Sequence, residues 1–89
     1  MSRRRGKVET SEYLQAARRF IRSAGRRVAD DDPEDLAVLI QLGAVLEEAI
    51  QGAVDGQRDR GFSWAEIAAP LGMTRQAAFQ RWAPKVSKP

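Results

Sequence analysis

Five side chains in the segment TRQAAFQRW (74–82) have the chemistry needed to recognise a nucleic acid. At helical spacing, Arg75, Gln76, Phe79 and Gln80 project from one face. Arginine can bond guanine O6 and N7 bidentately, glutamine can do the same at adenine, and an apolar group can contact the thymine methyl. Arg81 lies beside this face and could reach a phosphate. The segment therefore predicts a face that reads base edges.

Capping signals predict the two helices that would position these side chains. Ser63 and Glu66 have the spacing of a capping box, so one helix should begin near Trp64. Gly72 permits the left-handed conformation that ends helices, and Thr74 suits the N-cap of a second helix over 74–83. The pattern predicts a helix, a three-residue turn at 71–73 and a second helix.

Small and apolar residues on these two segments predict how they pack. Ala68 should let the helix axes approach closely. The residues expected to fill the space beneath them are Ile67, Leu71, Met73, Ala78 and Trp82. Pro70 removes a backbone donor and disfavours helical geometry at Ala69, so the first helix should end early or kink.

The segment SWAEIAAPLGMTRQAAFQRW resembles the helix-turn-helix of small actinobacterial DNA-binding proteins, a pattern related to the C-terminal DNA-binding region of sigma factors. The resemblance covers about a quarter of the chain and implies that the second helix enters the major groove. The matching positions are Ile67, Ala68, Leu71, Gly72, Thr74, Arg75, Gln76 and Ala78. Pro70 departs from the pattern, and an early end to the first helix would alter the angle of the second. The residues predicted to contact DNA are Thr74, Arg75, Gln76, Phe79, Gln80, Arg81, Ser63, Arg3, Arg4 and Arg5.

The N-terminal residues predict a basic arm followed by an amphipathic helix. Arg3, Arg4 and Arg5 lie in segment 1–9, which we expect to be flexible. Such a segment either contacts DNA, in the minor groove or at phosphates, or is a tail without a binding role. Residues 10–29 place an apolar arc opposite a basic stripe. The apolar arc contains Tyr13, Leu14, Ala17, Phe20, Ile21, Ala24 and Val28, and the basic stripe contains Arg18, Arg19, Arg22 and Arg26.

The central segment predicts a helix with two apolar stripes. Asp32 suits an N-cap and Pro33 the first helical position, so we assign the acidic cluster at 30–35 to helix capping and not to a metal. The helix should run to about residue 56, with Gly43 and Gly52 allowing close approach of another backbone. One stripe is Leu36, Leu39, Gly43, Leu46, Ile50 and Val54. The second stripe, Val38, Leu42, Val45 and Ala49, is predicted to form a homodimer.

Composition and charge narrow the function classes. The 89 residues are 43% hydrophobic and 30% charged, with no cysteine and no histidine. Residues 1–27 carry a net charge of +7, residues 28–61 carry −7 and residues 62–89 carry +3. Such segregation favours a polyanionic partner, although the opposite segments could also pair with each other. With no nucleophile and base that can be paired, we expect no enzyme, no metal and no cofactor.

We therefore predict an all-α protein with a long helical hairpin (10–61), a helix-turn-helix without a wing (62–83) and a short tail (84–89). Its expected function is sequence-specific binding of double-stranded DNA as a transcription regulator. We expect a homodimer in the cytoplasm, associated with the nucleoid. We expect no membrane anchor, because the longest near-apolar run, 36–46, is too short to span a bilayer. The alternative is a protein–protein assembly module that uses the apolar face of residues 36–54. Operator, effector and sign of regulation are not predicted.

Overall fold

A computed structural model describes residues 2–85, with side chains from residue 9 onward. Within that part of the chain the structure is all-helical and has no strand. The α-helices are α1 (Ser2–Ala29), α2 (Pro33–Asp59), α3 (Trp64–Ala68) and α4 (Arg75–Trp82), and a short 3₁₀ helix (Ala69–Leu71) follows α3. The predicted all-α class is confirmed.

Helix α1 begins earlier than the sequence predicted. Its backbone is helical from Ser2, not from Thr10, and it has 28 residues. The polar residues at 10 and 11 do not interrupt the helix, because the preceding arginines, lysine and glutamate are themselves good helix formers. The predicted arm at 1–9 is thus the first part of α1 from residue 2 onward.

Helix α2 has the predicted start and a later end. The Asp35 backbone NH donates to the Asp32 carboxylate at 3.3 Å, which confirms Asp32 as the N-cap. At the other end Gly61 has a φ of 98°, and the Phe62 NH donates to the Gln57 carbonyl at 3.1 Å. These features form a glycine-terminated Schellman motif, so the helix continues through Gly56 to Asp59.

Two glycines of α2 do not have the predicted packing role. A Cβ built on Gly43 or Gly52 would meet no atom within 4 Å. The expectation that they allow close backbone approach is therefore wrong within this single chain. Each costs α2 conformational entropy without a compensating contact.

The chain divides into two compact units, an N-terminal unit (Met1–Gly43) and a C-terminal unit (Ala44–Pro89). In the N-terminal unit the apolar arc of α1 is largely uncovered: Phe20 is 76% exposed and Tyr13 is 72% exposed. Leu36, Val38, Ile40 and Leu42 of α2 are also exposed. The two helices of the predicted hairpin therefore leave these apolar side chains uncovered in the single chain.

The C-terminal unit contains the hydrophobic core found in the described residues. It combines the end of α2 with α3 and α4. Its buried members are Val54, Trp64, Ile67, Ala68, Ala78 and Trp82, and Ile50, Met73 and Ala83 pack against them. This core fixes α4, which carries most of the candidate DNA-contacting side chains.

Helix α2 is long and apolar enough to cross a membrane by length and composition alone. An 18-residue window within Pro33–Asp59 has a mean hydropathy of 1.4, and 6% of it is buried. The sequence analysis judged the apolar segment too short to span a bilayer from the 11-residue run at 36–46 alone, whereas the helix that contains this run continues on both sides. However, Glu47 and Glu48 lie near the middle of α2. If α2 crossed a membrane, their carboxylates would lie near the bilayer centre, where charged side chains are strongly disfavoured.

Candidate functional site

A complete capping box fixes the start of α3. The Ser63 hydroxyl accepts from the Glu66 backbone NH at 3.0 Å, and the Glu66 carboxylate accepts from the Ser63 backbone NH at 2.8 Å. The Ser63 backbone NH, and to a smaller extent the Ser63 hydroxyl, stabilise the carboxylate and lower the pKa of Glu66 from its ordinary value of 4.5. The predicted capping box is confirmed. Ser63 is exposed, but its oxygen is already engaged in holding the helix start.

The turn between α3 and α4 is built from a 3₁₀ helix and one left-handed glycine. Helix α3 ends at Ala68, and Ala69–Leu71 continue as a 3₁₀ helix containing Pro70. Gly72 has a φ of 68°, its NH donates to the Ala69 carbonyl at 3.1 Å, and the Met73 NH donates to the Ala68 carbonyl at 3.2 Å. The Pro70 prediction is confirmed: the α-helix ends early, and a Schellman motif completes the turn.

The Thr74 side chain caps α4. Its Oγ1 accepts from the Ala77 backbone NH at 3.0 Å, as predicted. The hydroxyl is exposed at the helix N-terminus, where unsatisfied backbone NH groups and the helix dipole favour negative charge. Thr74 therefore both orients α4 and lies at the end of the helix that suits an anionic group.

Two alanines set the distance between α3 and α4. Ala68 is 1% exposed and Ala78 is 0% exposed, the lowest values in the core. Trp82 and Ile67 are also buried and Met73 is half-buried, as the sequence predicted. Because neither alanine has space for a larger side chain, the two helices are held at one separation.

The predicted role of Leu71 in this core is wrong. Its side chain is 55% exposed. Leu71 is the last residue of the 3₁₀ segment Ala69–Leu71, directly before the Gly72 turn, and is not part of α3. Leu71 instead lines an open apolar groove of about 430 Å³, together with Ile50 and Pro70.

The outer face of α4 presents Arg75, Gln76 and Gln80 to solvent. These three side chains are exposed, and Arg75 has no ion-pair partner among the described residues. Helix α4 contains no acidic residue. The outer face, defined by these three residues, therefore offers a free guanidinium and a free amide in the first turn of a capped helix, and a second free amide in its C-terminal half.

Phe79 differs from its predicted position on the outer face. It is 52% exposed, and its ring packs edge-on against Trp64 with centroids 5.7 Å apart and planes at 82°. An aromatic pair of this geometry is attractive. Phe79 is thus shared between the core and the surface, and only part of its ring is available to a ligand.

Helix α2 holds α4 through contacts that sequence patterns did not predict. Gln51 Nε2 donates to the Trp82 carbonyl at 2.9 Å and to the Asp55 carboxylate at 3.0 Å. Glu47 forms an ion pair with Arg81, with 3.4 Å between Arg81 Nη2 and Glu47 Oε1. Gln51 and Trp82 are 31 residues apart, and Glu47 and Arg81 are 34 residues apart, so no helical periodicity links the members of either pair. Arg81 is consequently tied to α2 in the absence of a ligand, while more than half of its side chain remains exposed.

The second apolar stripe of α2, predicted to form the dimer contact, is exposed in the single chain. Val38, Leu42 and Val45 each expose at least half of their surface, and Ala49 is also exposed. The predicted DNA contacts of Arg3, Arg4 and Arg5 concern side chains outside those that the structure describes. In the described residues, no group of three or more acidic side chains is arranged to hold a metal ion.

Comparison with known proteins gives no further assignment. The chain matches no protein-family model, no curated protein and no solved structure.

Proposed function

We propose that this protein binds double-stranded DNA sequence-specifically and regulates transcription, and that α3 and α4 form a helix-turn-helix without a wing. In this proposal α4 is the recognition helix in the major groove and α3 supports it. The proposed activity is binding, with no catalytic step, metal or cofactor.

The observation that carries the proposal is the outer face of α4. Arg75 and Gln76 are the first two residues after the Thr74 cap, where a recognition helix presents its first turn to base edges. Both are exposed, whereas Ala78 and Trp82 on the other side are buried. The face offers the donor and acceptor groups that distinguish guanine and adenine in the major groove.

The charge around this face also supports a nucleic-acid ligand. The carboxylate of Glu66 is bound to the Ser63 backbone NH and lies in the capping box, not on α4. Residues 62–89 carry four basic side chains and one acidic side chain. Sequence-independent attraction to phosphates would supply part of the affinity, and Arg81 would contribute once it leaves Glu47.

We further propose a location in the cytoplasm, at the nucleoid of an actinobacterial host, as the resemblance of the α3–α4 segment implies. We also propose a homodimer, and its support is the exposed stripe of Val38, Leu42, Val45 and Ala49 on α2, since monomeric proteins rarely expose large contiguous apolar patches. A two-fold dimer would present two outer faces to one operator.

The second candidate is a helical protein–protein assembly module that does not bind DNA. The same exposed apolar side chains on α2 favour it, with Leu36 and Leu46 extending the surface. Salt separates the two functions. Affinity for DNA falls steeply with salt because counterions are released, whereas an apolar interface does not weaken as salt rises.

The test is a binding-site selection from random duplexes at two salt concentrations, followed by anisotropy titrations of the preferred and a random duplex. We expect Arg75→Ala to cost about 1–3 kcal/mol on the preferred duplex and much less on the random one. Arg75→Lys is the matched control, since it keeps the charge and loses the bidentate geometry. It should retain affinity for random DNA and lose the preference.

Gln76→Ala should likewise reduce the preference for the selected duplex. A thermal melt of each variant checks that the fold is intact, because both side chains are exposed and should not contribute to the core. If selection enriches no sequence and the folded variants bind random DNA as the wild type does, α4 is not a recognition helix. The assembly function would then be the better explanation.

A further inference from the structure

Several large apolar side chains of α1 and α2 are exposed in the single chain. Phe20 is 76% exposed, Tyr13 is 72% exposed and Ile40 is 67% exposed. Because folded monomers rarely expose large contiguous apolar patches, these side chains are expected to be covered by a partner.

The apolar arc of α1 accounts for a large part of what is uncovered. Tyr13, Leu14, Phe20 and Ile21 are each more than half exposed, and they lie within one arc of the helix. The opposite side carries the basic stripe, Arg18, Arg19, Arg22 and Arg26, which is a natural solvated face. A helix with this division normally buries its apolar side, and in the single chain α1 does not.

We propose that a second copy of this chain covers the apolar arc of α1 with its α2. In the two-fold dimer, α1 of each copy packs against α2 of the other, so this contact is made twice. The dimer contact is thus α1 against α2 of the other copy, and not α2 against α2. The stripe of α2 that is covered contains Val38, Leu42, Val45 and Ala49. This inference specifies the proposed homodimer and does not depend on DNA binding.

Charge decides between the possible helix pairings. Helix α1 has nine basic and two acidic side chains, and α2 has one basic and six acidic side chains. Pairing α1 with α1 brings two cationic helices together, and pairing α2 with α2 brings two anionic helices together, both of which are unfavourable. Among the three possible pairings between two copies, only α1 with α2 of the second copy is complementary.

The lengths of the two helices fit the same arrangement. Helix α1 has 28 residues and α2 has 27, so both are about 40 Å long. Either helix can therefore lie along the other over its whole apolar stripe. The loop Asp30–Asp32 joins them, and the structure leaves four large apolar side chains of α1 and three side chains of the second stripe of α2 exposed: Tyr13, Leu14, Phe20, Ile21, Val38, Leu42 and Val45.

The test uses the absence of cysteine from the chain. Single-cysteine variants Phe20→Cys on α1 and Leu42→Cys on α2 are prepared, one of them with a mass tag, mixed after denaturation, refolded together and oxidised. We expect a disulfide-linked pair of unique mass from the mixture and little from either variant alone. Gln15→Cys, on the opposite side of α1, replaces Phe20→Cys as the control and should give little product.

Light scattering provides an independent readout. Wild-type protein at tens of micromolar should have twice the monomer mass of 9.9 kDa. Phe20→Glu should reduce the mass to that of the monomer, whereas Gln15→Glu, the same change of charge on the polar face, should leave the dimer intact. If Phe20→Glu does not fold, the cross-linking result decides.

Each other outcome overturns the inference. If the Leu42→Cys variant forms disulfides with itself and not with the Phe20→Cys variant, α2 packs against α2, and the proposed homodimer is retained with a different contact. A mass of 9.9 kDa removes the homodimer as well. If the wild type is monomeric and co-sediments with phosphatidylglycerol vesicles, and the Phe20→Glu variant does not, the apolar arc binds a membrane surface instead of a second copy. The comparison of Arg75→Ala with the wild type on preferred and random duplexes tests the proposed DNA binding separately from these outcomes.

Discussion

At the scale of single residues, the side chains near α4 fall into those held by the fold and those left free. Ser63, Glu66 and Thr74 are fixed by hydrogen bonds that begin helices. Arg75 and Gln76 have no such partner in the described residues and are exposed. Arg81 lies between these groups, because Glu47 holds a side chain that is still half exposed.

The Glu47–Arg81 ion pair should reduce the affinity for DNA. Glu47→Gln removes the partner, so Arg81 becomes available to a phosphate. We expect tighter binding to preferred and random duplexes alike, and a salt slope steeper by up to about one phosphate contact. Glu48→Gln is the control, since it makes the same change of charge and Glu48 does not bond to Arg81. Equal effects of the two variants would show that only net charge matters.

Glu66 should make the stability of α3 dependent on pH. Its pKa is lowered in the folded state, so its contribution is present above the ordinary value of 4.5 and is lost as the pH falls through the lowered pKa. Glu66→Gln keeps an acceptor for the Ser63 NH but does not titrate. Thermal melts from neutral pH to acid should therefore show the wild type losing its advantage over this variant below pH 4.5. A constant difference across that range would contradict the assigned cause.

At the scale of helices, local signals predicted most boundaries and failed where the outcome depends on distant contacts. Asp32, Ser63, Gly72 and Thr74 act within a few residues of themselves, and each has the predicted role. The start of α1 was wrong because Thr10 offers a possible cap but nothing there prevents the helix from continuing. The prediction for Leu71 was also wrong: it assumed a residue of the first helix, and Leu71 lies in the 3₁₀ segment that follows α3 and is 55% exposed.

The parts of the site that depend on α2 could not be predicted from the sequence. No sequence pattern assigned a role to Gln51, because its hydrogen bond to the Trp82 carbonyl joins residues 31 apart. Phe79 has the spacing of an outer-face residue, yet its large ring reaches Trp64. Periodicity assigns a direction to a side chain, but it does not say which neighbour is within reach.

Two glycines should respond in opposite ways to alanine. Gly72 has a φ of 68°, which costs an alanine about 1–2 kcal/mol even though a Cβ there would meet no atom within 4 Å. Gly52 lies inside α2 with the same open space, so Gly52→Ala should stabilise the protein by about 0.5–1 kcal/mol. Urea denaturation followed by circular dichroism measures both. Destabilisation by Gly52→Ala would mean that another chain lies against that position.

At the scale of the whole molecule, the described residues bury little apolar surface outside the C-terminal unit. The core there consists of six buried residues, whereas the long helices expose most of their apolar side chains. Such a division is expected of a chain whose folding is completed by assembly, and its stability then depends on protomer concentration.

A dimer that reads DNA should leave its geometry in the preferred sequence. Two recognition helices on one face of a duplex lie about 34–36 Å apart, so half-sites should be about 10–10.5 base pairs apart, or a multiple of that. Selection from random duplexes should therefore enrich inverted repeats with this spacing. Enrichment of a single unrepeated half-site would indicate that one protomer binds alone.

The positions of the aromatic residues give the protein an internal optical probe for its two units. Both tryptophans, Trp64 and Trp82, are buried in the core of the C-terminal unit, and the single tyrosine, Tyr13, lies exposed on α1. Fluorescence excited at the red edge of the tryptophan band reports only on α3, α4 and the end of α2. Circular dichroism is dominated by the two long helices. A difference between the two unfolding curves would therefore measure directly whether the long helices melt before the part of the molecule that carries Arg75.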